Sequence, residues 1–321
     1  MLKNWLLYLL GLAGALVFHI YYFGWYSWFV LVLALALPWF SLVTSLLPML
    51  RTRVWTDAPS SLTRGEAAYV TLRAGNGFLP QPCCRFRLTI TAVMTGERRS
   101  LRQKTQSQGS WYVPLDTSHC GAYISRVEKA RVYDYLGLFW LPVRRPAPVE
   151  TVVLPTAREP RRLPNLSHFL VRRLKPKPGG GFSEEHELRD YRPGDSMREI
   201  HWKLSVKTDR TIVREAQEPV RGLTLLTFDL RGTPDRVDAT LEELLWLPQW
   251  LLRHDTPHQI LWIDPTDCQM ATASMEREED LQPLLGRLLR APLRDDTPSI
   301  EGRSFPRATW RCHVSPQEDA P

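Results

Sequence analysis

The sequence predicts three architectural parts in series: a membrane-embedded helical hairpin, an all-β sandwich, and an α/β domain built on a parallel sheet. Three observations carry this expectation. No Lys, Arg, Asp or Glu occurs from Asn4 to Leu50. From about residue 53 to residue 155, apolar residues alternate with polar ones and turn signals recur every ten residues or so. Beyond Gly222 the alternation gives way to continuous apolar runs separated by a helical stripe.

The uncharged stretch is too long for one span, and each half approaches the ~20 residues a helix needs to cross hydrocarbon. The expected helices run from about Trp5 to Phe23 and from about Ser27 to Leu47, with Pro38 placed to kink the second. Gly24 sits between them, flanked by His19, Tyr21, Tyr22, Trp25, Tyr26 and Trp28, a belt suited to one bilayer interface. A cleaved signal core would be far shorter. Lys3 precedes the hairpin, Arg51 and Arg53 follow it, and the loop is uncharged. The positive-inside tendency then places both ends, and everything from residue 51 onward, in the cytoplasm. Cys83, Cys84, Cys120, Cys268 and Cys312 are odd in number, lack zinc-type spacing and read as reduced thiols. The neighbours Cys83 and Cys84 are expected on opposite sides of a strand.

A hydrophobic content of 44% with 12 Trp in 321 residues suits packed domains and excludes disorder as the main state. The net charge is +7, and nine basic residues with two acids between Leu141 and Pro178 account for +7 by themselves. The basicity is therefore assigned to a connector and not to a domain face. Such a connector serves as a solubilising linker or touches anionic lipid headgroups. Nucleic acid is disfavoured, since no recognisable binding fold accompanies the charge.

In the middle region Cys84, Phe86, Leu88, Ile90, Ala92 and Met94 alternate with Arg85, Arg87, Thr89 and Thr91. Val70, Leu72 and Ala74 alternate likewise and end at the turn Gly75-Asn76-Gly77, while Trp111-Val113-Leu115 and Ala122-Ile124-Arg126 continue the pattern. This suggests an immunoglobulin-like sandwich of about seven strands. Further on, Leu223–Asp229 and His258–Asp264 read as buried parallel strands, each ending in an acid. Helices are expected over Asp235–Arg253, with Val237, Leu241, Leu244, Leu245 and Leu252 on one stripe, and over Glu276–Arg290. Sites in such sheets gather at the carboxyl ends of strands, where Asp229 and Asp264 lie. A von Willebrand factor A-like domain would place a metal here through Asp-x-Ser-x-Ser. Asp229-Leu230-Arg231-Gly232-Thr233 puts Arg231, which has no acceptor, at the first Ser position, although Thr233 suits the second. No metal and no cofactor is expected.

Between the two regions lies a block dense in charge that still carries spaced aromatics, Gly181 to Glu215. Pro193-Gly194 makes a turn after which Asp195 accepts backbone hydrogen bonds. Arg189 and Arg198 are each expected to hold a carboxylate bidentately, from Glu187, Asp195 or Glu215, with Tyr191 and Trp202 shielding the pairs. Gly179-Gly180-Gly181 gives a flexible lead-in, and the lack of a following Gly-Lys-Ser/Thr argues against nucleotide binding.

The block resembles family fifty-eight of the bacterial domains of unknown function. The residues that carry the resemblance are Glu187, Arg189, Tyr191, Gly194, Asp195, Arg198, Ile200, Trp202 and Lys203, followed by Val213 and Glu215. Upstream, Val132-Tyr133-Asp134-Tyr135-Leu136-Gly137-Leu138-Phe139 is similar to the family's Asp-Pro-Leu-Gly-Leu-Phe segment, with Tyr135 in place of Pro. His201 stands where the family commonly has an acidic or amide residue, and Val206 where Ala is common. The resemblance implies a helical anchor over residues 1–50, a sandwich over 51–155, a basic Pro/Gly-rich connector over 156–181, and the motif block with a von Willebrand factor A-like domain over 182–321. It further implies a bacterial inner-membrane protein that partners a MoxR-type AAA+ ATPase, with a transglutaminase-like membrane protein as a further partner. Its role would concern protein assembly, maturation or envelope stress. Two other classes compete. One is an enzyme using Glu187, Asp195 and His201 for acid–base chemistry. The other is a structural protein that binds anionic lipid. For the block itself, a purely structural ion-pair network is the competing reading.

Overall fold

Two apolar helices open the chain, α1 (Leu2–Tyr21) and α2 (Trp25–Arg51), each long and apolar enough to cross a membrane. In the link between them, Ser27 Oγ donates to Gly24 O at 2.9 Å and lies 3.1 Å from His19 Nδ1. α2 is continuous through Pro38 and Pro48. Pro38 has no N–H for the carbonyl of Ala34, four residues back. Tyr8 of α1 supplies the missing donor, its hydroxyl standing 3.3 Å from Ala34 O.

The computed structural model describes residues 2–75, 83–105, 110–161, 163, 173–176, 186–220, 223–294, 296–306 and 308–315. Two compact units emerge. The first comprises Met1–Thr156, Arg231–Glu242 and Pro283–Asp296, the second Ala157–Leu230, Glu243–Gln282 and Thr297–Pro321.

In the first unit the helices lead into two sheets. One has the order β1-β3-β6, formed by β1 (Arg53–Asp57), β3 (Ala68–Gly75) and β6 (Ser110–Leu115). The other has the order β2-β9-β7-β4-β5, formed by β2 (Ser61–Thr63), β4 (Cys84–Ala92), β5 (Arg98–Thr105), β7 (Gly121–Tyr133) and β9 (Val149–Leu154), with β8 (Trp140–Pro142) paired to β7. Val70, Leu72 and Val113 of the first sheet share one core with Phe86, Leu88 and Val132 of the second, which makes the pair a sandwich. Among the described residues nine strands form where about seven were expected. The pieces β2 and β8 have 3 residues each, too few for alternation to register. The inward phase of β7 also differs from expectation. Tyr123, Ser125 and Val127 are buried, while Ile124 is half-buried and Arg126 exposed. A bulge then lets Arg87 pair with Lys129 and Leu88 with Val127, so Glu128 is the extra residue and burial resumes at Ala130 and Val132.

The placement of charge corrects the sequence reading more sharply. On the outer face of the second sheet, Lys104, Arg85 and Arg131 stand in register across β5, β4 and β7, followed by Arg102, Arg87 and Lys129. A domain face is therefore strongly basic, which the near-neutral sum outside the connector concealed. The connector is also more than a linker, since β10 (Arg173–Pro176) pairs antiparallel with β12 (Ile212–Val220). The Gly179-Gly180-Gly181 run, Phe182, Asn76 and Gly77 lie outside the described residues.

After β7 the chain turns through Asp134–Phe139 and meets the hairpin. Asp134, 1% exposed, accepts from Ser41 Oγ at 2.7 Å and from the Phe139 amide at 2.8 Å. Asn4 Nδ2 donates to Leu136 O at 2.8 Å and Trp5 Nε1 to Leu138 O at 3.1 Å. The Trp5 and Phe139 rings meet edge to face at 6.0 Å. Ser41, Ser45 and Met49 form one buried stripe of α2, and Met49 reaches the sandwich core.

The second unit holds a three-stranded sheet, β10-β12-β11, with β11 (His186–Asp190) at one edge, and a four-stranded sheet of order β15-β14-β13-β16. In the latter, β13 (Leu223–Phe228) runs parallel to β14 (His258–Ile263) and to β16 (Ala308–Val314), while β15 (Met270–Met275) is antiparallel to β14. Phe228 and Trp262 stack at 5.8 Å in its interior. Neither β15 nor β16 is expected from the sequence pattern. α4 (Pro234–Arg253) belongs to the first unit through Glu242 and to the second from Glu243, and its buried positions are Val237, Leu241, Leu244, Leu247 and Leu251, with Leu245 and Leu252 half-buried. The helix expected over Glu276–Arg290 shortens to α5 (Leu281–Leu288), because a 3-10 turn over Glu278–Asp280 precedes it. Asp280 caps that turn by accepting from the Glu276 and Arg277 amides.

The hairpin contact can be tested at glycine. Gly137 and Gly96 share a φ of +71°, yet an added Cβ would strike Asn4 only at Gly137. Both alanine variants carry the backbone strain of about 1–2 kcal/mol. Gly137→Ala is expected to lower the Tm of the detergent-solubilised chain by several degrees more than Gly96→Ala. Equal losses would mean that the close approach of α1 contributes nothing.

Candidate interaction site

β11, α3 (Trp202–Thr208) and β12 build the motif block, which belongs wholly to the second unit. β11 pairs antiparallel with β12, setting Arg189 opposite Val213 and Glu187 opposite Glu215. Arg189 grips both oxygens of Asp195, Nη1 to Oδ2 and Nη2 to Oδ1 at 2.8 Å each, and its Nε donates to Glu215 Oε1 at 3.0 Å. Gly194, at φ +110°, lets the chain double back so that Asp195 also accepts the Arg192 amide at 2.8 Å. The backbone hydrogen bond expected of Asp195 after this turn therefore forms. The Asp195 carboxyl falls from its ordinary 3.8 to about 2, chiefly through the Arg189 hydrogen bonds and then the Arg192 amide. The Arg189 guanidinium is raised by the same bonds from Asp195 and Glu215. Solvent screens this network, so its main effect is to fix geometry.

From there the backbone passes a 3-10 turn, Met197–Glu199, and a bridge between Ile200 and Val213. His201 Nδ1 caps α3 by accepting the Leu204 amide at 3.2 Å. Ser205 Oγ accepts the Ile212 amide at 2.9 Å and so ties α3 to the start of β12. Asp209 closes the helix in the left-handed region, φ +53°.

Of the residues expected to act together, Arg189, Asp195 and Glu215 meet. Arg198 does not join them. It is exposed and holds no carboxylate among the described residues. Trp202 and Tyr191 do not shield the pairs either, being 61% and 38% exposed. Ile200 is buried, whereas Lys203 and Glu187 are exposed. The exposed residues of the block thus include Tyr191, Met197, Arg198, Trp202, Lys203 and Val206. Of the three residues considered for an enzyme, Asp195 is engaged by Arg189 and Arg192 and His201 by the α3 amide, while Glu187 is exposed.

At the carboxyl end of β13, Asp229 accepts from Ser299 Oγ and from the Ile300 amide at 2.9 Å, while Thr233 is exposed. Asp229 therefore holds a distant loop. Asp264 accepts the Thr266 amide at 2.9 Å within its own turn. Burial pushes Cys84 up to about 12, with Cys83 adding to it, and burial also raises Cys83 and Cys120. These thiols stay protonated near neutral pH.

Sequence reading missed one cluster, in the first unit. Asp238 of α4, 2% exposed, takes His119 Nδ1 at 2.8 Å and the Cys120 amide at 2.8 Å. Arg64 stands 3.5 Å from Asp238 and 2.8 Å from Glu242. His119, Asp235 and Asp238 have the donors to hold a metal ion. The fixed Arg64 charge on Asp238 opposes a cation there. Residues 64, 119 and 238 are too far apart in sequence for any local pattern to join them.

No family model and no curated protein matches the chain. Among solved structures, a cohesin module from a Clostridium perfringens family 33 glycoside hydrolase aligns with 32% of this chain and 96% of that module. Its identity is 12% and its TM-score 0.25, a likeness that carries no argument about fold or function.

The Arg189–Asp195 pair predicts a defined acid response. Because the folded carboxyl sits at about 2 against an ordinary 3.8, its stabilisation is complete above 3.8 and is lost as pH falls through about 2. Asp195→Asn should therefore raise amide exchange in β11 at pH 5, and the gap from wild type should close toward pH 2. A gap that persists unchanged at pH 2 would refute the pairing.

Proposed function

We propose that the chain is a membrane-anchored cytoplasmic adaptor, of the kind the family-fifty-eight resemblance implies, that docks a MoxR-type AAA+ ATPase through the exposed side of the motif block. The observation that carries this is the division within the block. Arg189, Asp195 and Glu215 lock the scaffold, while Trp202, 61% exposed, and Met197, 71% exposed, stand in solvent, as does Arg198. Exposed Trp, Tyr, Met and Arg over a rigid base have the composition of an interface hot spot. A structural network alone would give these side chains no reason to face outward.

In this reading α1 and α2 span the bacterial inner membrane, with residues 51–321 on the cytoplasmic side. The sheet β15-β14-β13-β16 belongs to a von Willebrand factor A-like domain whose metal position has been converted to loop support, with Asp229 holding Ser299 and Ile300. Clients would be proteins undergoing assembly or maturation, and a transglutaminase-like membrane protein would be a neighbour in the complex.

The test is affinity capture from detergent-solubilised membranes, repeated with ATP, with ADP and without nucleotide, and read by mass spectrometry. Wild type should retain a MoxR-type ATPase in at least one nucleotide state. Arg198→Ala and Trp202→Ala should each reduce capture by about tenfold or more, the loss expected of a hot-spot residue. Equal capture by the variants would make the exposed side irrelevant. No ATPase in any state would remove the partner assignment.

A further inference from the structure

The outer face of the β5-β4-β7 sheet carries charge with no counterpart. Lys104, Arg85 and Arg131 lie side by side across the three strands, and Arg102, Arg87 and Lys129 make the next row. Like charges set directly opposite one another repel, and an anion laid over them relieves the repulsion. None of the six holds a carboxylate among the described residues. Arg85 and Arg131 instead lie over the Tyr133 and Trp140 rings, at 4.5 and 4.0 Å.

At its Lys104–Arg85 end this face opens into a cavity of about 390 Å³, lined also by Asn4, Cys83 and the run Tyr133–Gly137, which includes Asp134. That volume is within the range of small-ligand sites. Asn4 belongs to the first turn of α1 and is bonded to Leu136 O. The cavity thus lies where the apolar hairpin meets the sandwich. With the hairpin in a bilayer, this is the level of the lipid headgroups.

We infer that this cavity and the cationic row beside it bind the phosphate headgroup of an anionic phospholipid. The inference rests on the membrane placement proposed above. Arginine and lysine suit a phosphate, and the Arg85 fork can meet two of its oxygens. Asp134 also lines the cavity, but it is 1% exposed and its two oxygens are taken by Ser41 Oγ and the Phe139 amide. The effect fades along the strands. Successive rows are ~7 Å apart, close to the ~8 Å screening length at physiological salt. Arg98, paired with Thr91 three rows from Lys104, lies beyond that reach.

The full chain in neutral detergent is titrated with dioctanoyl phosphatidylglycerol, dioctanoyl phosphatidylcholine, glycerol phosphate and a short single-stranded oligonucleotide, with binding read by calorimetry. Phosphatidylglycerol should saturate, and the other three should bind at least tenfold more weakly. Arg85→Gln with Lys104→Gln should weaken phosphatidylglycerol by roughly 30-fold, and Arg98→Gln by less than about 2-fold. Arg85→Lys with Lys104→Arg should retain binding, which separates charge from folding. Equal binding of phosphatidylcholine, or an equal loss in Arg98→Gln, would overturn the site. Glycerol phosphate binding as tightly as the lipid would make it a soluble-phosphate site. Tighter oligonucleotide binding would make it a nucleic-acid surface. Membrane placement is read separately, by alkaline extraction of the chain from vesicles of phosphatidylcholine alone. Release there fails the hairpin, whereas insertion without phosphatidylglycerol preference fails only the headgroup site.

Discussion

Asp134 is the point on which the arrangement of the first unit turns. It is a carboxylate with 1% exposure, and such a group is stable only when its oxygens are satisfied. One oxygen takes a hydroxyl from the hairpin, Ser41, and the other takes the Phe139 amide from its own turn. The turn is thereby closed, and its carbonyls at Leu136 and Leu138 face Asn4 and Trp5 of α1. Helices and sandwich are joined by directed bonds and by Met49 in the shared core, not by a flexible tether. A basic sheet face held this way has a fixed stance toward whatever surrounds the hairpin.

The second unit uses the same device in a more polar setting. Arg189 satisfies two carboxylates at once. The small helix α3 is secured at both ends, by His201 at its start and by Asp209 at its close, with Ser205 tied to the following strand. Its outward residues, Trp202, Lys203 and Val206, are presented on a base that does not depend on them. Substitutions inside and outside the block should therefore separate cleanly into effects on order and effects on association.

The two opening helices were legible in the sequence because an uncharged apolar stretch of that length, broken at Gly24, accommodates two helices each long enough to cross a membrane. Period-two alternation revealed β4 and β6, and the continuous apolar runs revealed β13 and β14. Three physical causes hid the rest. The bulge at Glu128 shifts the inward phase of β7, which no local pattern announces. β15 exposes alternate residues on a sheet edge and carries small side chains, so it reads as loop. Pairing decides which polar residues meet, and it set Arg189 against Asp195 while leaving Arg198 in solvent. Summed charge was also a poor guide. The basic rows on β4, β5 and β7 are visible only once register places them side by side.

If Asp134 and Ser41 bind hairpin and sandwich into one body, the two side chains must be energetically coupled. A double-mutant cycle of Ser41→Ala and Asp134→Asn, scored by unfolding of the detergent-solubilised chain, isolates that bond. A coupling energy of about 1–3 kcal/mol is expected for a buried charge-assisted hydrogen bond. Additive single and double variants would mean that the two parts are held together by something else, or are not held together at all.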